Sequence, residues 1–319
     1  MQMKATFDFC KATAPSSTAN LGPGFDVFGL GLDLFYDTVS IHKLATTNGK
    51  IRITLDINTS IPSIVEENTA SLAVMKIAQK KKIKNDLEIR ITKGVPIGLG
   101  LGSSAASSAA AVTAFNELFQ CRLTEYELLD FAAEGEVSSA GVKHYDNVVA
   151  SLFGGFVVVR TFPSLEFIKI DTPKDLVMVV CVPNLITPIK KTKHARSVIP
   201  NRIPIEVHTR NLSNACIIVS GFFHQDTKLL SKGMNDLIVE PARKSLIPGY
   251  DKVKSNAISS GALAVTISGA GPSMIAFTNT KKNASKIGQS MEEGFVSSNI
   301  QSKAYVCHPS GGSRVISKS

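Results

Sequence analysis

The sequence predicts an α+β protein with two domains and a cleft between them. Segments that alternate like β-strands are mixed along the chain with segments that begin like helices. Between Phe162 and Asp175 this pattern changes, because two prolines and two aspartates interrupt short apolar pieces. We therefore expect one domain over residues 1–165 and a second over 166–319, since 319 residues are ample for two cores.

The individual elements follow from periodicity and from capping residues. In the first domain, strands are predicted over residues 4–9, Tyr36 to Lys43, Lys50 to Ile57, Leu87 to Ile91 and Phe156 to Val159. Helices are predicted from Ala70 to about Lys81 after the cap Asn68, from Ser103 through Phe119, and from the capping box Thr124–Glu127 to about Ser138. In the second domain, strands are predicted at Leu176 to Val182, Leu263 to Ile267, Ser273 to Phe277 and Lys303 to Cys307, and helices near Val207 to Phe223 and Asn283 to Val296. This alternation predicts a small α+β sandwich for the second domain.

Composition narrows the class of protein. A hydrophobic content of 44% with 19% charged residues is ordinary for a globular protein, and no apolar stretch approaches the length of a membrane span. The N-terminus lacks the apolar segment of a signal peptide. The five cysteines are scattered and have no C-x-x-C spacing, which favours free thiols in the cytoplasm over disulfides or a zinc site.

The formal net charge of +9 invites comparison with nucleic-acid-binding proteins. The basic residues are spread along the chain, however, and no recognition-helix, zinc-finger or aromatic RNA-binding signature accompanies them. We expect neither a nucleic acid nor a membrane as partner. The net positive charge is better explained by the attraction of small anionic molecules.

The most informative stretch is a glycine loop that leads into an Ala/Ser-rich helix. It reads Pro96-Ile97-Gly98-Leu99-Gly100-Leu101-Gly102-Ser103-Ser104-Ala105-Ala106. Glycines at every second position leave amide groups uncovered, and a helix N-terminus favours negative charge, so the pattern predicts a phosphate site. Ser103 and Ser104 add hydroxyls that could cap the helix, contact a phosphate or bind Mg²⁺.

The glycine loop matches neither of two well-known phosphate loops. It lacks the Gly-Lys-Ser/Thr ending of a P-loop, and its glycine spacing is not that of the dinucleotide fingerprint. A tight turn before a buried helix is the alternative interpretation of such a loop.

Three further polar segments fall between apolar ones, and each on its own predicts a loop. They are Ala14 to Asp26, with two glycines and an aspartate; Glu134 to Asn147, after the capped helix; and Thr266 to Ser273, between two strands.

In this order the segments resemble the kinase superfamily of galactokinase, homoserine kinase, mevalonate kinase and phosphomevalonate kinase, the GHMP kinases. The resemblance rests on Pro-Ser-Ser-Thr-Ala-Asn-Leu-Gly-Pro-Gly-Phe-Asp from Pro15, Gly-Leu-Gly-Ser-Ser-Ala-Ala from Gly100, and Ser-Gly-Ala-Gly-Pro-Ser from Ser268. It covers essentially the whole chain. The homoserine kinase branch is the most similar, through the runs Lys143 to Val148 and Glu240 to Arg243.

The resemblance implies a two-domain GHMP kinase fold, with an N-terminal nucleotide-binding domain like ribosomal protein S5 domain 2 and a ferredoxin-like C-terminal domain. It implies phosphoryl transfer from ATP, with Mg²⁺, to the side-chain hydroxyl of L-homoserine, giving O-phospho-L-homoserine on the route to threonine. Homodimers are common in the family, so a homodimer is expected.

The resemblance also assigns roles to residues. The loop from Pro96 to Ala106 binds the nucleotide, and Glu136 with Ser104 binds Mg²⁺. The expected substrate-binding residues are Asn20 and Asp26 on the amino group, Arg196 and Arg243 on the carboxylate, and His144, Asn147, Thr192 and Gly269 around the same pocket. Planar arginines suit bidentate carboxylate recognition.

The proton acceptor is left open between two alternatives. Asn147 is expected to orient the substrate hydroxyl, which leaves the proton to a phosphate oxygen. Asp146 could instead act as a general base, and His144 could titrate near neutrality or simply form hydrogen bonds. Other kinases of the superfamily, acting on shikimate or mevalonate-type alcohols, and a non-catalytic relative that binds a partner are the competing functions.

Overall fold

The computed structural model describes residues 7–56, 61–140, 143–186 and 191–319. The first part of the chain contains β1 (Phe9–Asn20), β2 (Gly24–Lys43), β3 (Ile51–Leu55), α1 (Thr69–Lys81), β4 (Leu87–Thr92), α2 (Ser103–Leu118), α3 (Glu125–Ala140), α4 (Tyr145–Phe153), β5 (Phe156–Arg160) and β6 (Glu166–Ile170). The remainder contains β7 (Val177–Pro183), α5 (Lys191–Ser197), α6 (Ile205–Phe223), α7 (Thr227–Gly233), α8 (Val239–Arg243), α9 (Tyr250–Ser259), β8 (Ala264–Ile267), β9 (Met274–Thr278), α10 (Lys281–Val296), β10 (Ser302–Cys307) and β11 (Arg314–Lys318).

In the described residues the strands form two sheets. The seven-stranded sheet has the order β11-β1-β2-β4-β3, and β5 pairs with another part of β2 and carries β6 at its far side. β1 and β2 form a long antiparallel hairpin whose turn lies at residues 21–23. The Ala-rich helix α2 packs on this sheet, and its small side chains are buried, which lets the helix approach closely.

The four-stranded sheet is antiparallel, with the order β10-β7-β9-β8, and both of its faces are covered. Along β7, Val177 and Val179 face a cluster formed with α9 and α10, whereas Met178 and Val180 face a cluster shared with the larger sheet. In this shared cluster, Phe156 of β5 stacks on Phe222 of α6 with a distance of 3.8 Å between ring centroids. The shared cluster fixes the position of one sheet relative to the other.

The predicted α+β class is confirmed, and side-chain caps explain why α1 and α3 were predictable. Asn68 accepts hydrogen bonds from the amides of Ala70 and Ser71, so it caps α1 as expected. Thr124 and Glu127 form a reciprocal capping box. Residues 4–6 of the first predicted strand, and Ile57 at the end of the third, lie outside the described residues.

Strand pairing bears on the predicted domain boundary. β6 follows residue 165 but pairs with β5, and β11 returns from the C-terminus to pair with β1. Both strands therefore belong to the sheet of the N-terminal half. The division at 165/166 stays a prediction, although it falls between two paired strands.

Two interpretations from the sequence are wrong. The polar run from Ala14 to Asn20 is not a loop but continues β1, because its backbone pairs with β2 up to Asn20. The segment from Glu134 to Asn147 is mostly helical: Glu134 to Ala140 complete α3, and Tyr145 begins α4. The elements α4, α5, α7, α8, α9, β6 and β11 had no strong local pattern and were not predicted.

Candidate active site

The glycine loop lies against the turn formed by the third motif. Gly98, Gly100 and Gly102 all have positive φ, at 74°, 80° and 67°. A Cβ on Gly100 would lie 2.3 Å from the carbonyl oxygen of Ser268, and the Ser268 hydroxyl donates to the carbonyl of Gly100 at 2.8 Å. Glycine is therefore required at position 100 both by its conformation and by a close backbone approach.

A buried ion pair fixes the two ends of the glycine loop. The Lys93 ammonium is paired with Asp37 and also donates to the carbonyl of Ser103 at 2.9 Å. The Asp37 carboxylate accepts from the amides of Gly94 and Val95 at 3.0 and 2.9 Å. Burial lowers the pKa of Lys93, while the charge of Asp37 opposes that shift. This network joins the end of β4 to the start of α2.

The N-terminus of α2 has Gly102 as its cap, so no side chain at that position covers the first amides of the helix. The Ser103 hydroxyl donates to the carbonyl of Val95 at 3.0 Å, which closes the loop on itself. Exposed amides at a helix N-terminus next to flexible glycine backbone are suited to binding phosphate oxygens.

Glu136 lies beside the first turn of α2, from which Ser104 makes a hydrogen bond to it. Glu136 is 5% exposed, not an exposed glutamate at a helix end. Burial raises its pKa to about 7; the hydrogen bond from Ser104 opposes this shift, and the nearby Asp146 adds to it. A buried carboxylate that would lose a proton on cation binding, beside a hydroxyl, fits the oxygen ligands that Mg²⁺ prefers.

The described residues contain no cluster of three or more His, Cys, Asp or Glu that could hold a metal ion. Mg²⁺ commonly uses one or two carboxylates together with the phosphates of its substrate. One carboxylate and one hydroxyl therefore suffice for the predicted site.

Asn147, on the first turn of α4, connects the glycine loop to β1. Its Oδ1 accepts a hydrogen bond from the Ser17 hydroxyl at 3.0 Å, and a Cβ on Gly102 would lie 3.1 Å from the same oxygen. The Asp146 carboxylate accepts from the Asn147 amide at 2.8 Å. Asp146 is buried, and burial raises its pKa to about 7, with a further increase from Asp26.

A cluster of charged groups lies next to Asp146 and Asn147. The Arg196 guanidinium donates to both carboxylate oxygens of Asp26, at 2.9 and 2.8 Å, and is 3.2 Å from Nε2 of His144. The amide of Asp26 donates to Oδ1 of Asn20 at 3.2 Å. Burial lowers the pKa of His144, and Arg196 lowers it further while Asp26 opposes the shift.

Arg243 closes the other side of the cluster and is only 4% exposed. It donates to the carbonyl oxygens of Ala195 and Gly269 at 2.9 and 3.1 Å. The Gly269 carbonyl also accepts from the side chain of Asn20 at 2.8 Å. Burial lowers the pKa of Arg243 to about 10, against the charge of Asp26. The guanidinium is therefore a desolvated cation at the edge of the pocket.

The structure thus brings most of the predicted site residues into one connected network. Thr192 lies on α5 between Lys191 and Arg196, and its contact with a substrate stays a prediction. The sequence analysis did not identify three members of the network, Asp37, Lys93 and Ser17. Lys93 had a usable signal, since it is a lysine directly between a buried strand and the glycine loop.

A glycine loop at a helix N-terminus, a buried carboxylate beside it and an adjacent charged pocket define a small-molecule phosphotransferase. Comparison with protein families agrees: residues 68–155 match the GHMP kinases N terminal domain, and residues 218–297 match the GHMP kinases C terminal domain. The chain belongs to the GHMP kinases.

Relatives with this fold include proteins named homoserine kinase. The one from Thermoplasma acidophilum is 38% identical over 304 residues, which cover 95% of this chain and 96% of that protein. The one from Saccharolobus solfataricus is 38% identical over 89% of this chain and 90% of its own length. The crystal structure of homoserine kinase from Cytophaga hutchinsonii has a TM-score of 0.92 and 38% identity, covering 99% of this chain and 100% of that one.

More distant structures share the fold alone, for example mevalonate kinase of L. major, with a TM-score of 0.67 and 16% identity. Among the described residues, no helix is both long and apolar enough to cross a membrane.

Proposed function

We propose that this chain is an ATP-dependent kinase that phosphorylates the side-chain hydroxyl of L-homoserine, giving O-phospho-L-homoserine on the route to threonine. The observation that carries the proposal is the pairing of Asp26 with Arg196 beside the buried Arg243, next to the glycine loop. Homoserine kinases at 36–40% identity over most of the chain support the same reaction.

The charged cluster has the chemistry that a zwitterionic amino acid requires. An α-ammonium group needs carboxylate and amide oxygens, which Asp26 and Asn20 offer, and an α-carboxylate needs guanidinium groups. Without a ligand, Asp26 and Arg196 neutralise each other. A bound zwitterion can exchange that contact for two new ones, its ammonium on Asp26 and its carboxylate on Arg196 and Arg243.

The nucleotide side of the site offers backbone amides for phosphates and two oxygen ligands for a metal ion. Backbone amides of the loop between Pro96 and Ala106 would bind the phosphates, and Glu136 with Ser104 would hold Mg²⁺. When bound, the metal neutralises the charge of the phosphates and of the developing transition state. Glu136 is expected to be fully ionised only when a cation is present, since burial otherwise raises its pKa to about 7.

In the transfer step, the substrate hydroxyl oxygen forms a bond to the γ-phosphorus, and the bond from that phosphorus to the β,γ-bridging oxygen breaks, releasing ADP. Asn147 orients the hydroxyl from its position between Ser17 and the glycine loop. The hydroxyl proton goes to a phosphate oxygen. Asp146 is the alternative acceptor, because burial places its pKa near neutrality.

Two properties of the protein as a whole complete the proposal. We propose a homodimer, as in many members of the family. We also propose a cytoplasmic location, which is supported by the five unpaired cysteines.

The test is a coupled ADP-release assay with L-homoserine, shikimate and mevalonate as acceptors. We expect turnover with L-homoserine and little with the other two alcohols, which carry no ammonium group for Asp26. 3-Amino-1-propanol serves as the control, since it keeps the amino group and the hydroxyl of homoserine but has no carboxylate. Faster turnover of shikimate or mevalonate than of homoserine would contradict the proposal.

A further inference from the structure

Lys191 is a lysine at the junction of the glycine loop and the substrate pocket that has no role in the reaction described so far. It begins α5, and its ammonium donates a hydrogen bond to the carbonyl oxygen of Gly271. That carbonyl faces the glycine loop, since a Cβ on Gly100 would lie 2.7 Å from it. The ammonium of Lys191 is therefore held next to the loop that receives the phosphates.

The charged group that acts on Lys191 is another cation. Burial lowers its pKa to about 7, and the charged group that adds to this shift is Arg243, another desolvated cation. Within residues 7–56, 61–140, 143–186 and 191–319, no carboxylate forms an ion pair with Lys191, and the remaining residues include no Asp or Glu.

A half-buried ammonium group beside the buried guanidinium of Arg243 is unfavourable unless an anion binds between or beside them. An ammonium group has three donors, of which the Gly271 carbonyl takes one, so it can also donate to phosphoryl oxygens. A phosphoryl group carries more charge than a carboxylate and spreads it over its equatorial oxygens during transfer. The contact between Gly271 and Gly100 places Lys191 on the phosphate side, whereas Arg243 lies on the carboxylate side.

We propose that the ammonium of Lys191 binds the transferred phosphoryl group, first as the γ-phosphate of ATP and then as the phosphate of the product. This proposal rests on the proposed kinase function. Lys191 neutralises charge on the C-terminal side of the phosphoryl group, opposite the amides of the glycine loop. It acts as a point charge that follows the group from donor to acceptor.

The proposal is tested by measuring the binding of two nucleotides, with Mg²⁺ present, to the wild-type protein and to Lys191→Met. The probes are ADP and the non-hydrolysable analogue AMP-PNP, followed by calorimetry. We expect the affinity for AMP-PNP to fall at least tenfold and the affinity for ADP to change less than twofold, because ADP lacks the group that Lys191 binds. Lys191→Arg, which keeps the charge, should restore part of the loss.

Lys193→Met is the matched control, since Lys193 is exposed and lies on the same short helix. It should change neither affinity. The melting temperature of each variant shows whether the hydrogen bond to Gly271 also matters for folding.

Three results would overturn the proposal. An equal loss of ADP and AMP-PNP affinity would mean that Lys191 only positions the turn. L-Homoserine is titrated in the same way, and unchanged nucleotide affinity with weaker L-homoserine binding would assign Lys191 to the carboxylate. Unchanged affinity for all three ligands would give it no ligand at all. Because the main comparison uses nucleotides alone, it remains decisive even if the acceptor proves to be an alcohol other than homoserine.

Discussion

On the nucleotide side of the site, the ion pair between Lys93 and Asp37 is almost closed to solvent, with side-chain exposures of 7% and 0%. On the substrate side, Arg196 and Asp26 keep exposures of 40% and 41%. The first pair also holds backbone amides and a loop carbonyl, whereas the second contacts His144 and little of the backbone. The nucleotide side is thus a fixed scaffold, and the substrate side is a pair of charges that a ligand can separate.

The largest expected effect is a difference in the free energy of unfolding when each of the two ion pairs is broken. Asp37→Asn should lower the free energy of unfolding by roughly 3–5 kcal/mol, because it leaves the buried Lys93 ammonium without a countercharge. Asp26→Asn, the matched change on the substrate side, should cost about 0–1 kcal/mol, because its partner stays in contact with solvent. Urea denaturation of both variants measures the difference, and equal losses would refute the contrast between scaffold and exchangeable pair.

The second prediction concerns substrate binding. Arg243→Leu should lower kcat/KM for L-homoserine, mainly by raising KM. The loss should correspond to roughly 2–5 kcal/mol of transition-state binding, because the substitution removes the proposed buried partner of the carboxylate. Affinity for ATP should change little, since we propose that the phosphates bind on the glycine loop. 3-Amino-1-propanol, which keeps the amino group and the hydroxyl but lacks the carboxylate, should distinguish the two proteins only weakly. If kcat/KM falls equally for both acceptor substrates, Arg243 contacts the phosphate or stabilises the fold instead. Its hydrogen bonds to the carbonyls of Ala195 and Gly269 would then explain a role in the fold.

The same contrast explains what the sequence could predict. The glycine loop, the cap at Asn68 and the capping box at Thr124 depend on neighbours a few residues away, so they were recognisable from local patterns. The pair Lys93–Asp37 joins residues that are 56 positions apart, and no local signal connects them. The resemblance gathered Asn20, Arg196 and Arg243 into one pocket, but composition and periodicity alone would have left them as surface residues.

Burial of polar residues was the other property that local pattern missed. The run Ser16-Ser17-Thr18 looked like a loop, yet all three residues are buried in β1, where they contact the chain on either side. Ser17 reaches Asn147 and Thr18 reaches Ser268, partners 130 and 250 residues away. Such a polar strand is stable only because distant segments satisfy its hydroxyl groups.

The third prediction tests the carboxylate of the nucleotide side. Glu136→Gln keeps the size of the side chain but removes the charge, so kcat should fall at least about 100-fold. Glu134→Gln, on the same helix and paired with Lys143, is the control and should stay near wild-type activity. Steady-state rates across a range of Mg²⁺ concentrations provide the measurement. Wild-type turnover by Glu136→Gln would place the metal site elsewhere.

The smallest expected effect uses the raised pKa of Glu136, about 7 in the folded protein against an ordinary 4.5. Between these values the folded state binds a proton that the unfolded state has lost, so this group makes the protein less stable as pH rises from about 4.5 to 7. Without nucleotide or divalent cations, Glu136→Gln should therefore be more stable than wild type at pH 8, by about 1–3 kcal/mol, and similar at pH 4.5. Asp146, whose pKa is also raised to about 7, adds to the shift of Glu136, so the same comparison is repeated in an Asp146→Asn background.

Added MgCl₂ tests whether that carboxylate belongs to a cation site. A cation beside Glu136 stabilises its ionised form, so at pH 8 Mg²⁺ should raise the melting temperature of the wild-type protein and leave Glu136→Gln unchanged. KCl at matched ionic strength controls for screening of the exposed pairs, including Arg196–Asp26. An equal response of both proteins to Mg²⁺ would show that the cation acts on the surface of the protein. Glu136, on the nucleotide side of the site, would then bind a proton instead of a metal ion.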